Sequence, residues 1–526
     1  MTFLSDRFDR HPKLAALLCG LVAATGFPPL NLWPVAFAAI AGFVWLVWRS
    51  GSWRQAALIG WLFGVAHFTL ANNWIATAFT YQAEMPAALG WVAVPLLSLY
   101  LAIYPAVAAG LARALVANRS LASFAPLIGA SWIVSEWLRS WVFTGYAWAP
   151  LSLMLLGPSD RPGLAMALPV VGSYALSGVL VTIAAALLAA ILAKRWLPAA
   201  ALAACLAVGM FWPPPAERPG TLPFTLVQHN LRQEEMNDPT KFEAQFQRLA
   251  VLSRPDRALD RRLVLWPESA IPDYLESGYP QRYYDQLTAG GDPEGARARI
   301  GRVIGPGSLV LTGAVNLEIG TDAAGWRTAT GAYNSILALS SDGEIAGRYD
   351  KAHLVPYGEY LPMRGLLEPL GLSRLVAGSL DFIPGPGPRT VNLGPWGRAG
   401  MQICYEIVFS GEVVDPKDRP DYIFNPSNDG WFGTWGPPQH LAQARMRAIE
   451  EGLPVLRATT TGISAVIDAR GVVRAAIGRD EADRIDGVVP PALSSTAFSS
   501  FGHWLTLIWT ALLLAAWLVA TRRWER

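Results

Sequence analysis

The chain has 526 residues, of which 52% are hydrophobic and 16% charged, and it holds 22 tryptophans. That balance excludes an ordinary soluble protein of this length, so a large part of the apolar excess must meet lipid. The formal net charge of +2 is too small to argue for nucleic acid or for a strongly acidic partner.

Apolar runs at 14–27, 35–48, 56–76, 86–112, 121–138, 164–193, 196–212 and 503–521 predict eight transmembrane helices, since about 20 residues cross a bilayer core. The Phe27-Pro28-Pro29 break leaves a re-entrant hairpin as the alternative to the first two spans. Two spans are preferred because they make the charges consistent. With a cytoplasmic amino terminus, Arg7, Arg10, Lys13, Arg49, Arg54, Arg113, Arg119, Lys194, Arg195, Arg522, Arg523 and Arg526 all fall inside. The stretches 28–34 and 77–85 hold no Lys or Arg, and 139–163 holds only Arg139 and Arg161. Such a bias sets orientation and places the region after the seventh span outside the cytoplasm. The first apolar run lacks a small-residue cleavage site and is expected to stay as an anchor. Glu136 and Arg139, near a helix end, read as side chains that snorkel, or else as an interfacial pair at lipid headgroups.

The expected domains are 1–212, a transmembrane domain of seven helices; 213–502, a globular domain; and 503–526, a closing transmembrane helix with a cytoplasmic tail. Within the globular part, short β-rich runs occur at 224–228, 263–266, 309–315, 335–339, 400–403, 422–425, 455–459 and 464–467. Helical patterns lie at about 240–254, 295–304 and 438–451, and Ser341-Asp342-Gly343-Glu344 marks a hairpin turn. Strands apolar on both faces predict stacked α/β layers.

Cys404 is the one cysteine outside the apolar segments, and Cys19 and Cys205 are out of its reach, so no disulfide is expected. It follows the run Gly400-Met401-Gln402-Ile403, which places a lone thiol at a strand end. A thiol needs a nearby base or cation before it attacks a carbonyl, and the oxyanion that forms needs fixed positive charge. Glu268, after the stiffening Pro267, supplies the base; Lys351 supplies the charge. Glu359 is placed to hold the lysine or share the base work, and Glu406 lies on the same side as Cys404 if the strand continues that far. His353 reads as a loop hydrogen-bonding residue. With six His and no tight grouping of ligands, no metal site is expected. Asn334 and Asn428 either orient the site or cap turns. Trp431-Phe432-Gly433-Thr434-Trp435-Gly436 is either a mobile lid or a packed core loop.

Three segments occur in the order of the nitrilase (carbon–nitrogen hydrolase) superfamily. Trp266-Pro267-Glu268-Ser269-Ala270 resembles its Glu motif, Asp350-Lys351-Ala352-His353-Leu354-Val355-Pro356-Tyr357-Gly358-Glu359-Tyr360 its Lys motif, and Ile403-Cys404-Tyr405-Glu406 its Cys motif. Trp137-Leu138-Arg139-Ser140-Trp141-Val142-Phe143-Thr144-Gly145-Tyr146, Val227-Gln228-His229-Asn230 and Asn428-Asp429-Gly430-Trp431-Phe432-Gly433 are similar to segments of the membrane-bound apolipoprotein N-acyltransferase family. One departure is the loop Leu231-Arg232-Gln233-Glu234-Glu235-Met236, where the family commonly carries Pro and an aromatic residue.

The resemblance implies an α-β-β-α sandwich for 213–502 and a catalytic triad of Glu268, Lys351 and Cys404. Glu359, Glu406 and Tyr405 would support it, and Asn334, Asn428, Trp431, Phe432 and Trp435 would meet substrate. It implies a two-stage reaction without cofactor, in which Cys404 takes an acyl chain from a phospholipid, phosphatidylethanolamine in the first place. The acyl chain then passes to the α-amine of a diacylated apolipoprotein. A bacterial inner-membrane location, a periplasmic catalytic side and a monomeric state go with it. The rival readings are a membrane-tethered amidase that hydrolyses a small amide, and a transporter or sensor whose outer domain binds a ligand. Against the latter, the spans are nearly bare of ionisable residues apart from His67 and Glu136.

Overall fold

The computed structural model describes residues 10–81, 86–116, 120–216, 218–257, 259–370 and 381–524. Arg7, Arg119 and Arg526, three of the cations that orient the expected topology, lie outside the described residues. Four helices there are long and apolar enough to cross a membrane: Leu89–Leu115, Leu121–Trp141, Ser173–Leu192 and Trp504–Arg522. The expected eight spans are thereby corrected to four. Pro12–Ala24, Trp33–Arg49 and Trp196–Met210 are apolar but shorter; at about 1.5 Å per residue they reach roughly 20–26 Å, below the ~30 Å of a hydrocarbon core. Trp53–Ala71 has 19 residues but carries Arg54, Gln55 and His67. The run at 164–193 makes a 3₁₀ turn at Leu164–Ala167 and one α-helical turn at Leu168–Val171, and its long helix begins only at Ser173, after Gly172 at φ 77° breaks the chain direction.

Small residues let the long helices touch. A Cβ on Gly129 would lie 2.6 Å from Gly178 O, and one on Gly178 would lie 2.5 Å from Gly129 O, so Leu121–Trp141 and Ser173–Leu192 meet backbone to backbone. Glu136 and Arg139 do not snorkel, since both are buried. Glu136 Oε1 accepts from Leu151 N at 2.9 Å, and Arg139 Nη1 donates to Trp148 O at 2.9 Å. The guanidinium also lies over the rings of Phe68 and Tyr146, at 5.3 and 5.9 Å. The pair therefore fixes the loop that follows its own helix.

Twelve strands are described after the bundle: β1 (Pro223–Gln228), β2 (Arg262–Leu265), β3 (Ser308–Thr321), β4 (Arg327–Ser340), β5 (Ile345–Asp350), β6 (Thr390–Asn392), β7 (Arg398–Met401), β8 (Tyr422–Ser427), β9 (Val455–Thr459), β10 (Ser464–Ile467), β11 (Val473–Ile477) and β12 (Asp483–Val488). They form two six-stranded sheets, ordered β12-β1-β2-β3-β4-β5 and β11-β10-β9-β8-β7-β6. Both sheets have a parallel centre, β1-β2-β3 and β7-β8-β9, and antiparallel edges. Phe242–Ser253, Pro293–Ile304 and Gly436–Glu451 are helices in three of the crossovers that parallel neighbours require.

Alternation along the strands sorts the side chains into layers. Leu263, Leu265, Leu309 and Leu311 join the core between the sheets. Val264 and Val310 instead pack with Phe246, Leu249, Ile300 and Ile304 of the outer helices. Strands covered on both faces need the nearly continuous apolar runs seen in the sequence. The result is a nitrilase-like α/β domain.

Gly436–Glu451 covers the second sheet from outside, yet its polar residues are buried as well. The membrane half explains this. Trp148 Nε1 donates to Gln439 Oε1 at 2.8 Å, and Ala149 N to Gln443 Oε1 at 3.0 Å. Gln439 Nε2 donates to Pro28 O and Ala71 O, and Arg445 donates to Gly157 O, Pro158 O and Arg161 O. Backbone groups of the bundle's loops thus satisfy a helix face that water would otherwise cover.

Trp148, 1% exposed, packs its ring against Trp74, Phe432 and His440 at 4.5, 5.5 and 5.3 Å. Trp148→Ala is expected to cost about 3–5 kcal/mol of stability, measured as a lowered unfolding midpoint of the full chain in detergent. A loss below about 1 kcal/mol would show that this seam is not a packed core.

Candidate active site

Each of the three motif residues leaves the end of a strand. After β2, Trp266 is anchored by Nε1 donating to Ser253 Oγ at 2.8 Å, and Gly313 of β3 lies directly behind the next turn. A Cβ on Gly313 would come within 2.7 Å of Glu268 Cα and 2.5 Å of Ser269 N, so only glycine lets the chain turn Glu268 inward there. After β5, Lys351 is tied down by its N donating to Asn334 O and its O accepting from Gly385 N, both at 2.8 Å. After β7, Gln402 N donates to Phe424 O at 2.9 Å, and the chain then turns into the 3₁₀ helix Cys404–Val408.

The side chains converge. Lys351 Nζ donates to Glu359 Oε1 at 2.9 Å and lies 3.6 Å from Glu268 Oε1. Asn334 Nδ2 joins the two carboxylates, donating to Glu268 Oε1 at 2.8 Å and to Glu359 Oε1 at 3.0 Å. Glu268 Oε2 accepts from Asn428 N at 2.7 Å, and Glu359 Oε2 from Val355 N at 2.8 Å. All these side chains, and that of Cys404, are buried. Burial works against the Lys351 charge, but Glu359 and Glu268 outweigh it and hold the ammonium above its ordinary range. Burial pushes the Cys404 thiol well up, and the negative charge of Glu268 adds to the push. Lys351 pulls in the opposite direction, as does the Asn428 N–H that faces the sulfur. The thiol is therefore protonated at rest and lies within the field of a carboxylate and an ammonium, the parts of base-assisted attack on a carbonyl.

Glu406 is placed differently from the expectation. The strand stops at Met401, so Glu406 does not share a strand face with Cys404; it lies in the 3₁₀ turn and points back. Its Oε2 accepts from Ile403 N at 2.7 Å. Its Oε1 accepts from Tyr349 Oη and Ala352 N, both at 2.8 Å, and from His353 N at 3.2 Å. Burial pushes its carboxyl up to about 7 against those donors and Lys351. Glu406 thus ties the Lys segment to the Cys turn. Tyr405 is buried edge-on to Phe409 at 5.1 Å, and His353 stacks on Phe409 at 3.7 Å.

Asn428 acts both as a cap and within the site. Its Oδ1 accepts from Gly430 N at 3.1 Å and from Thr460 Oγ1 at 2.9 Å. Its Nδ2 donates to Gln233 Oε1 at 2.8 Å and lies 3.7 Å from Met236 Sδ, so the divergent loop reaches this residue. Phe432 is buried against Trp74 at 4.7 Å, and Trp431 meets Tyr81 edge-on at 5.8 Å. Trp435 is half-buried. A Cβ on Gly433 would lie 2.5 Å from Thr77 Oγ1, and one on Gly436 2.3 Å from Phe432 Cβ; Gly433 serves close approach to the membrane half, and Gly436 makes room for the loop's own Phe432. Among the described residues no three His, Cys, Asp or Glu side chains are grouped to hold a metal. Three residues to which the sequence reading gave no role, Asp429, His440 and Arg457, are buried together behind Cys404.

A model of the apolipoprotein N-acyltransferase N-terminal domain matches residues 19–186, and one of carbon-nitrogen hydrolases matches 225–495. The apolipoprotein N-acyltransferase of Rhodopseudomonas palustris is 34% identical over 96% of this chain and 95% of its own length. The chain belongs to the apolipoprotein N-acyltransferase family. A second member, from Caulobacter vibrioides, is 33% identical over 98% of this chain and 96% of its own. A carbon-nitrogen hydrolase structure from Helicobacter pylori superposes at a TM-score of 0.34 with 17% identity, over 51% of this chain and 88% of that one. By this membership the chain is an enzyme of the carbon-nitrogen hydrolase superfamily, acyltransferase in its named relatives, and a bacterial membrane protein.

The thiolate is the reactive form of cysteine. With the thiol held up, alkylation of Cys404 by iodoacetamide is expected to keep accelerating past pH 9.0, the ordinary thiol value. Lys351→Met removes the cation that lowers the thiol and is expected to move the curve to still higher pH. Rates followed on the Cys404 peptide test this, and a wild-type plateau below about pH 8 would contradict it.

Proposed function

We propose that the chain carries an acyl group from a phospholipid, phosphatidylethanolamine in the first place, through a thioester on Cys404 to the N-terminal amine of a diacylated apolipoprotein. The observation that carries this reading is the buried Glu268–Asn334–Glu359–Lys351 cluster whose charges act on the Cys404 sulfur. Glu268 takes the thiol proton as the sulfur attacks the ester carbonyl, and the Lys351 ammonium faces the oxyanion that forms. When the C–O bond breaks, Glu268 returns the proton to the departing glycerol oxygen and a lysophospholipid leaves. The acceptor amine then attacks the thioester carbon and gives a proton to Glu268. The amide forms as the C–S bond breaks, and the sulfur takes that proton back.

Glu359 and Asn334 hold Lys351 and Glu268 at their distances. Glu406 fixes the Cys turn, and Tyr405 packs beneath it. Trp431, Phe432 and Trp435, beside Asn428, form the apolar side on which an acyl chain lies. Both substrates keep their chains in the bilayer, where each CH₂ withheld from water is worth about 0.8 kcal/mol, so a site at the junction with the helices suits them. An inner-membrane protein with this domain on the periplasmic side goes with the same reading. The enzyme acts as a monomer and without a cofactor.

Intact-mass measurement of the full chain in phosphatidylethanolamine vesicles tests this. Wild type is expected to gain one acyl mass and to lose it when a diacylglyceryl-cysteine peptide is added, which then carries the acyl group. Cys404→Ser is expected to gain none, a loss on the order of 10³-fold or more. Rapid discharge to free fatty acid before any amine is added would replace transfer by hydrolysis.

A further inference from the structure

Cys404 has a left-handed backbone, φ 51°, a conformation that costs a residue with a Cβ about 1–2 kcal/mol and persists only where its surroundings impose it. Its carbonyl oxygen lies 3.0 Å from His440 Nε2. A carbonyl only accepts, so Nε2 carries the hydrogen and donates. Behind the ring, Nδ1 lies 3.0 Å from Arg457 Nη2 and 2.9 Å from Asp429 Oδ1. The same Nη2 donates to Asp429 Oδ1 and Oδ2, at 2.8 and 2.7 Å. Arg457 Nη1 is held in turn by Ser427 Oγ at 2.9 Å and by Asn425 Oδ1 at 2.5 Å.

Asp429, His440 and Arg457 are fully or almost fully buried. An ion pair in such a place loses hydration worth several kcal/mol per ion and offers little net stability in exchange. Burial first, and then Arg457, lower the imidazole's proton affinity, while Asp429 and the Cys404 carbonyl raise it. The contacts at both ring nitrogens specify one ring orientation.

We propose that His440, oriented by Asp429 and Arg457, is a positioning residue for the Cys404 nucleophile. The peptide between Cys404 and Tyr405 is planar, so pinning the Cys404 carbonyl toward His440 turns the Tyr405 N–H the opposite way and fixes the Cα from which the sulfur projects. His440 also sits on the helix that docks the membrane half. Its neighbour Gln439 accepts from Trp148 Nε1, and Trp148 and Phe432 pack against its ring at 5.3 and 5.4 Å. Docking of the two halves and the attitude of the nucleophile are thereby joined in one side chain.

This inference rests on the reading of Cys404 as the acylated residue, and the test separates the two. Full-length wild type, His440→Ala and His440→Gln are compared in detergent–lipid micelles by two rates. One is alkylation of the Cys404 peptide by iodoacetamide; the other is the single-turnover gain of acyl mass from phosphatidylethanolamine. The Gln amide nitrogen reaches the place of Nε2 and keeps the donated hydrogen bond. His440→Ala is expected to slow both rates by about tenfold or more, with KM for the phospholipid within about twofold and nearly every site still reactive at the end point. His440→Gln is expected to recover to within about threefold. A wild-type rate in His440→Ala, a loss confined to the fraction of reactive sites, or no recovery in His440→Gln would each overturn the proposal. Wild type that gains no acyl mass overturns the functional reading instead, and the alkylation rates still decide the role of His440.

Discussion

Everything in the site depends on how one ammonium is kept charged inside protein. An unpaired lysine moved to such a place loses several kcal/mol of hydration and would rather give up its proton. Lys351 avoids this because two carboxylates surround it and a bridging amide, Asn334, spaces them. The excess of one negative charge over the pair has a chemical use. With Glu359 in direct contact with the ammonium and Glu268 set further off at 3.6 Å, Glu268 is the carboxylate less fully matched by the cation. Burial above all, and after it the unmatched charge of Glu268, keep the proton on the sulfur at rest. In the proposed reaction, movement of that proton to Glu268 leaves the total charge of the cluster unchanged, so the step needs little reorganisation in a buried site.

The position of the cluster follows from the docking of two unlike halves. In a free α/β domain the outer face of Gly436–Glu451 would be solvated, and its Gln and Arg residues would need no explanation. Here the same residues reach carbonyls at Pro28, Ala71 and Gly157, and one continuous buried core runs from the helices into the second sheet. Arg139 extends the link on the membrane side by holding Trp148 O. The seam is consequently a structural part of the candidate site.

Much of this was legible in the sequence because its cause is local. Short, continuously apolar β-rich runs located most of the sheet cores, and a lone thiol, an acid after a proline and a lysine after a strand were each visible in a short window. What could not be read depends on where distant segments meet. The eight-span count treated apolar length as helix length, whereas Pro12–Ala24, Trp33–Arg49 and Trp196–Met210 end too soon and Trp53–Ala71 carries Arg54, Gln55 and His67. Glu406 was placed by extending a strand that stops at Met401, and only the four donors around its carboxylate explain the turn. Glu136 and Arg139 read as surface charges because nothing in their own helix announces the loop they hold. Asp429, His440 and Arg457 come from a turn, a helix and a strand, and no spacing in the sequence relates the three.

The strained φ at Cys404 brings these threads together. A left-handed nucleophile projects its side chain out of a tight turn, but the conformation lasts only if both ends of the turn are pinned. On the amino-terminal side Glu406 holds Ile403 N; on the carboxyl-terminal side His440 holds the Cys404 carbonyl. The first clamp reaches on to Ala352 and His353, beside Lys351, and the second to the membrane-docking helix. Cys404 therefore sits where the Lys351 segment and the membrane-docking helix are both tied to one residue by these two hydrogen bonds.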